Sequence, residues 1–172
     1  MGRITINDIR SSSDDELFSL LGKELEDRVS SARNSPEFVA QIANLPVGLR
    51  AMAATYELDV SLSLDDLGWH FANWHDTALA EETANGLEEL GASELATLFR
   101  EAFRLARDYW TELGAEGWTE WYNDSPLYEA LTPLNSRAWS LLDEKTYKKH
   151  GVFKYWIDYA RRHPDRIGVD DS

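Results

Sequence analysis

The sequence predicts a compact, bundle-like, all-α domain of seven to nine helices, a single domain spanning residues 1–172. Apolar residues recur at steps of three and four along most of the chain, which is the period of an amphipathic helix. Convincing alternation of the strand type is missing. A chain of 172 residues with an apolar share of 43% is also long and apolar enough for one domain with a sizeable core.

Helix start signals divide the first part of the chain. Ser13 is predicted to be an N-cap, and Glu16 completes a capping box for a helix that continues to about Ser31. Pro36 suits the first position of a short helix, and Pro46 restarts a further one.

The middle of the chain also contains signals that start and end helices. Ser63 is predicted to cap one helix, residues 75–77 form a break, and Gly91 ends the next helix. Gly86 lies inside that helix at a cost of about 1 kcal/mol, so we expect another element to approach it closely. Ser93 is predicted to cap the most regular helix, and the apolar stripe of that helix continues to Trp110.

The last part of the chain predicts three more helices. Glycines at 114–117 frame a loop before a short aromatic helix, and Ser125 caps the helix that follows. Pro133 should kink or break that run. A final helix is predicted between Gly151 and Pro164, with a frayed tail at 169–172. Most of the seven tryptophans are expected in the core, and some on a partner surface.

The charge is strongly acidic and unevenly spread. The chain has 17 basic and 31 acidic residues, a net charge of −14. Residues 57–129 hold 17 acids and 3 bases, whereas 1–56 carry −2 and 130–172 carry +2. Such asymmetry favours an interaction surface; a solvated face that aids solubility is the alternative. The charge argues against binding nucleic acid or an anionic membrane, since both are polyanions.

The composition excludes several other function classes. The chain has no cysteine, which excludes disulfides, thiolate zinc sites and a cysteine nucleophile. No apolar run approaches the ~20 residues of a membrane span, and the first residues lack the apolar stretch of a signal peptide. We therefore expect a cytoplasmic protein.

Acidic residues repeat at helical steps. Two glutamate doublets, Glu81-Glu82 and Glu88-Glu89, are seven residues apart. This spacing places them on the same side of a helix, about 10 Å apart along its axis. On the next helix, the same seven-residue step separates Glu94, Glu101 and Asp108. Any amphipathic helix can place its charges in this way, so a plain solvated face stays open. The acids that we single out as partner-binding candidates are Asp65, Asp66, Asp76, Glu81, Glu82, Glu88, Glu89, Glu94, Glu101 and Asp108.

An enzymatic alternative rests on few residues. Asp66 and His70 are four apart and could share a helix face, with His75 nearby. Two residues do not make a metal site, and a simple Asp–His hydrogen bond is the structural interpretation. Glu120 lies near aromatic residues and Asp124, a pattern compatible with sugar hydrolysis but expected by chance in so acidic a chain.

Three stretches resemble the DMP-type DNA-mimic domain, an all-helical bacterial family. Residues 65–74, Asp-Asp-Leu-Gly-Trp-His-Phe-Ala-Asn-Trp, resemble its opening motif, although the usual double glycine is here Leu-Gly. Residues 88–96 with Glu101-Ala102 resemble the next block. Leu142-Asp143 before Tyr147, and a closing helix with Tyr159 and Pro164, resemble its ending. The likeness covers about residues 55–166.

The resemblance implies a non-enzymatic protein whose acidic surface imitates DNA. We expect a basic protein partner such as a DNA-binding regulator, and no catalytic residue, metal, cofactor, direct nucleic-acid binding or membrane binding. Association into a homodimer stays open. Two alternatives remain: an immunity-type protein that neutralises a basic toxin, and a metal-dependent or hydrolytic enzyme that uses Asp66 and His70.

Overall fold

A computed structural model describes residues 4–146 and 151–168, with the backbone alone at 143–146. This part of the chain forms eleven α-helices and no strand, which confirms the all-α prediction. Eight helices have seven or more residues, and three are short. The helices are α1 (Ile6–Ser11), α2 (Asp14–Arg28), α3 (Pro36–Ile42), α4 (Val47–Leu64), α5 (Leu67–Asn73), α6 (Thr77–Glu89), α7 (Ser93–Arg107), α8 (Trp110–Leu113), α9 (Trp118–Tyr122), α10 (Pro126–Thr146) and α11 (Phe153–Arg162), followed by a 3₁₀-helix (Pro164–Ile167).

Helix α4 lies at the centre of the fold. Eleven of its 18 residues are buried, because small and apolar side chains occupy nearly its whole circumference. It packs against α3, α5, α6, α11 and the 3₁₀-helix. The other long helices are amphipathic and turn one face towards it or towards one another.

The contact between α4 and α6 is very close. A Cβ on Gly86 would lie 2.9 Å from the Ala51 carbonyl oxygen of α4, so only glycine fits there. Next to it, the Thr83 hydroxyl donates to the Ala54 carbonyl oxygen at 2.8 Å. The expectation that another element approaches Gly86 is confirmed.

Helices α5, α7 and α10 form a second packed group. The Asn135 side-chain oxygen of α10 accepts from the backbone N–H of Leu67 at 3.0 Å, which satisfies a free donor at the start of α5. Phe71 of α5 packs on Phe99 of α7, with 5.2 Å between ring centroids. Trp139 of α10 donates its indole N–H to an α4 carbonyl oxygen at 3.1 Å.

Helix α11 closes the fold against α2 and α4. Its Trp156 is fully buried and donates to the Thr55 hydroxyl of α4 at 2.9 Å. Buried Asp59 accepts from the backbone N–H of Val152 at 2.5 Å, which fixes the start of α11. Lys154 binds Asp14 of α2 at 3.2 Å.

The prediction that most tryptophans lie in the core was wrong. Trp156 lies in the core, whereas Trp139 is 41% exposed. The remaining five are partly buried and pack on the edge of the core; they are Trp69, Trp74, Trp110, Trp118 and Trp121.

Two of the predicted helix caps were confirmed and one was wrong. Ser13 and Glu16 form the predicted capping box, and the Ser125 hydroxyl accepts from the Tyr128 N–H at 3.1 Å. Ser63 was the wrong cap, because α4 continues through it and Asp66 caps α5 instead.

Three further boundary predictions were wrong. Ser93 is the first helical residue of α7, and its hydroxyl donates to Glu88 rather than capping the helix. Helix α7 ends at Arg107, so Trp110 starts a separate helix. Helix α10 runs through Pro133 without a break, since buried Leu131 and Ala138 anchor it on both sides.

The tail at 169–172 and Tyr147 lie outside the described residues. Within the described ranges, no helix combines the length and the apolar character needed to cross a membrane.

Two glycines in helix interiors should respond oppositely to alanine. Gly86→Ala should lower the free energy of unfolding by about 1–3 kcal/mol, because the new methyl group meets the α4 backbone. Gly22→Ala in α2 should raise it by about 0.5–1 kcal/mol, since no described atom lies within 4 Å of its Cβ position. Urea denaturation of both variants checks this. A Gly86→Ala protein as stable as Gly22→Ala would contradict the close approach.

Candidate functional site

Asp66 is a structural residue rather than a surface acid. It is buried, caps α5 by accepting from the Trp69 N–H at 3.0 Å, and accepts from the Tyr122 hydroxyl with both oxygens at 3.0 Å. Burial, followed by the nearby Asp66 charge, raises the pKa of Tyr122. The Tyr122 ring covers Gly68 so closely that no Cβ would fit. The carboxylate therefore joins α5 to α9.

His70 is also an internal residue. Its ring is 2% exposed, and its Nδ1 lies 2.9 Å from the Ser61 hydroxyl of α4. Burial lowers the pKa of His70 to about 3, against the opposing effect of the Glu57 backbone carbonyl. The expected Asp66–His70 hydrogen bond was wrong, because each side chain has its own buried partners.

His75 lies apart from His70 on the surface. It stacks on Trp110 with 4.2 Å between ring centroids, and its Nε2 is 2.7 Å from the Trp110 carbonyl oxygen. Across the described parts of the chain, no group of three or more histidine and acidic side chains could hold a metal ion. The chemistry at these residues is hydrogen bonding and packing.

The first glutamate doublet has one paired member, Glu82, and within the described residues no ion pair involves Glu81. Glu81 is exposed. Glu82 is half-buried and binds Arg50 of α4 through two hydrogen bonds, at 2.8 and 2.5 Å. This fork-to-carboxylate geometry is the strong form of an ion pair.

Both members of the second doublet, seven residues later, are paired. Glu88 is exposed and binds Arg100 at 3.0 Å. Glu89 is half-buried, accepts a short hydrogen bond from the Tyr159 hydroxyl and pairs with Arg166 at 3.0 Å. Burial and the Glu89 carboxylate together raise the pKa of Tyr159. The inner glutamate of each doublet thus holds α6 to its neighbours.

The acids of α7 are mostly paired as well. Glu94 binds Arg137 of α10 at 2.7 Å, and Glu101 binds Arg104 at 2.7 Å. These pairs are exposed, so each contributes only about 0–1 kcal/mol to stability. Asp65 and Asp108 are exposed at helix ends, and Asp76 caps α6 by accepting from the Leu79 N–H at 3.2 Å.

A second set of acids keeps its charge unpaired. No basic residue occurs from 108 to 136. Within the described residues, no ion pair involves the exposed acids of this stretch. We call residues 108–129 the acidic segment; its exposed acids are Asp108, Glu112, Glu116, Glu120, Asp124 and Glu129.

Aromatic side chains support the acidic segment. Trp118 packs edge-on against Trp69 at 4.7 Å between centroids, and Tyr109 contacts Trp121 at 5.7 Å. Helix α8 packs against α5, α7 and α9, and the Trp69–Trp118 contact joins α9 to α5. The base-free stretch was visible in the sequence, but only Asp108 of its acids was predicted there to bind a partner. Free carboxylates dominate the field near a surface because no adjacent cation cancels them.

The buried His70 predicts a specific response to acid. The unfolded chain binds a proton on this ring near pH 6.5, whereas the folded protein binds it only near pH 3. The His70 term in the free energy of unfolding should therefore fall by about 1.4 kcal/mol per pH unit below 6.5, down to about 3.

Denaturation at a series of pH values measures that slope, and NMR of the imidazole carbons reports the charge of the ring. We expect the His70 ring to stay neutral in the folded protein well below pH 6.5. Titration of the His70 ring near 6.5 in the folded state would contradict its buried placement.

Comparison with known proteins gives one family match. The family model described as "DMP19-like protein" matches residues 43–163, which is more than half of the chain. The match includes the central helix α4 and everything up to the end of α11. Comparison with curated proteins and comparison with solved structures give no match. The chain therefore belongs to the DMP19-like protein family.

Proposed function

We propose that this protein is a non-enzymatic, acidic protein-binding module that mimics DNA. It occupies the DNA-binding surface of a basic partner such as a transcription regulator. One observation carries the proposal: the segment 57–129, which holds a charge of −14, lies entirely within the family match at 43–163. A surface of this charge attracts basic proteins and speeds their association.

The unpaired acids and the acids in exposed ion pairs would contribute to binding in different ways. The acidic segment offers free carboxylates, which steer a basic partner from a distance. The exposed pairs Glu88–Arg100 and Glu94–Arg137 contribute little to stability, so an arginine of the partner can replace the internal one at low cost. Duplex DNA carries about one charge per 1.7 Å of axis, so the imitation is of field and shape rather than of each phosphate.

The immunity-type alternative uses the same surface and differs only in its partner. An enzyme built on Asp66 and His70 is not favoured, because both side chains are buried and hydrogen-bonded internally. A binding experiment therefore has to establish what kind of protein is bound.

Affinity capture on the immobilised full chain can supply the partner, which is then purified. We expect a protein with a basic DNA-binding face, and we expect its own duplex to compete with this chain. Binding should weaken as salt rises, because salt screens exposed charges. Affinity that is unchanged from low to high salt would contradict electrostatic mimicry. A basic toxin that does not bind DNA would support the immunity-type alternative.

Neutralising the acidic segment should weaken that binding. The triple variant Glu112→Gln, Glu116→Gln and Glu120→Gln should raise the Kd about tenfold, since each exposed charge contributes about 0.2–1 kcal/mol. Isothermal titration at low salt measures the change.

A matched control removes three charges outside residues 57–129. The variant Asp27→Asn, Glu37→Gln and Asp165→Asn changes the net charge equally at exposed positions. It should keep the affinity within about twofold. Equal losses in both variants would show that net charge alone, and not this segment, governs binding.

A further inference from the structure

Two half-buried aromatic side chains, Tyr109 and Trp121, contact each other at the surface of the acidic segment. Their ring centroids are 5.7 Å apart, and both rings pack against the core while part of each side chain stays exposed to solvent. Tyrosine and tryptophan are enriched where proteins bind one another, because a large ring offers much contact area. We call these two residues the aromatic pair.

Exposed carboxylates border the aromatic pair at both of its rings. Glu120 directly precedes Trp121. Asp124 follows three residues later, and its backbone N–H donates to the Trp121 carbonyl oxygen at 3.3 Å, so both belong to one helical turn. Residues three apart in such a turn are neighbours on its surface. At the other ring, the exposed Asp108 directly precedes Tyr109.

No cation lies over the aromatic pair in the part of the chain that the structure describes. Basic residues do not occur from 108 to 136. Arg107 is the nearest base before this stretch, and its guanidinium carbon is 6.0 Å from the centroid of the Phe103 ring, one turn back along α7. The aromatic pair therefore combines ring surface with negative charge that no neighbouring arginine has taken.

The fold itself contains the contact that an arginine makes with such a surface. The guanidinium carbon of Arg33 is 3.9 Å from the centroid of the Tyr56 ring, and its Nε is 3.5 Å from Oε1 of the adjacent Glu57. A guanidinium is planar and weakly hydrated, so it can lie on a ring while its edge meets a carboxylate. A lysine ammonium is a compact, strongly hydrated charge and does not stack in this way.

We propose that the aromatic pair is the docking position for an arginine side chain of the basic partner. The guanidinium stacks on the exposed part of the Trp121 ring, and its N–H groups donate to Glu120 and Asp124. The carboxylates select a cation, and the ring selects a planar guanidinium over an ammonium. This inference rests on the proposed function, and it specifies a partner whose DNA-binding face contacts this chain through arginine rather than lysine.

Two short acetylated peptides test this preference on the full chain. One has three arginines separated by glycines, and the other has lysines in their place. Proton–nitrogen correlation NMR at low salt measures both Kd values and observes the indole N–H groups. We expect the arginine peptide to bind about fivefold more tightly and to shift the Trp121 indole N–H in a saturable way. Equal affinities would overturn this inference and leave the proposed function standing, whereas binding of neither peptide would contradict both.

The variant Trp121→Leu keeps an apolar side chain and removes the aromatic face. It should abolish the preference for arginine and keep the Kd of the lysine peptide within about twofold. Trp121→Phe retains a ring and should show an intermediate preference, which separates loss of stacking from a disturbed fold. The matched control Trp139→Leu changes a tryptophan of α10 that is 41% exposed and lies outside the acidic segment, so it should keep the full preference. A fivefold preference that persists in Trp121→Leu would overturn the proposal.

Discussion

The close packing of α6 on α4 at Gly86 is the constraint on which the acidic side of the molecule depends. Because no side chain separates the two backbones, α6 has one available depth and rotation on α4. That placement brings Glu82 to Arg50 and Glu89 to the 3₁₀-helix residue Arg166. A slightly different packing would change which carboxylates are neutralised and which face solvent.

The negative charge of this chain consequently has two physical forms. On α6 and α7, most acids are paired with arginines that lie elsewhere in the fold, as Glu94 is with Arg137. In the acidic segment, no ion pair involves the exposed acids within the described residues, so most of their charge is not neutralised by a neighbouring cation. A basic partner would contact some carboxylates that are unpaired and others that can exchange an internal arginine for one of its own.

Residue types common in active sites serve here to join helices. Asp66 connects α5 to α9 through Tyr122, and His70 connects α5 to α4 through Ser61. Hydrogen bonds to a buried carboxylate are stronger than those between neutral groups, so these contacts specify how the helices meet. Arg33 joins the loop after α2 to α4 differently, because its guanidinium lies over the Tyr56 ring at 3.9 Å and 3.5 Å from Glu57 Oε1.

The sequence by itself determined the helical class, the concentration of charge in residues 57–129, and those features whose cause is local. The Ser13–Glu16 capping box is local, and Gly86 revealed a close approach through its own cost in a helix. Only the tertiary structure decided that Ser63 is not a cap, that α10 continues through Pro133, and that Glu82 meets Arg50. The last two depend on burial and on residues far apart in the chain, which periodicity and spacing do not encode. The contact of Arg33 with Tyr56 likewise exists only because the loop after α2 folds back onto α4.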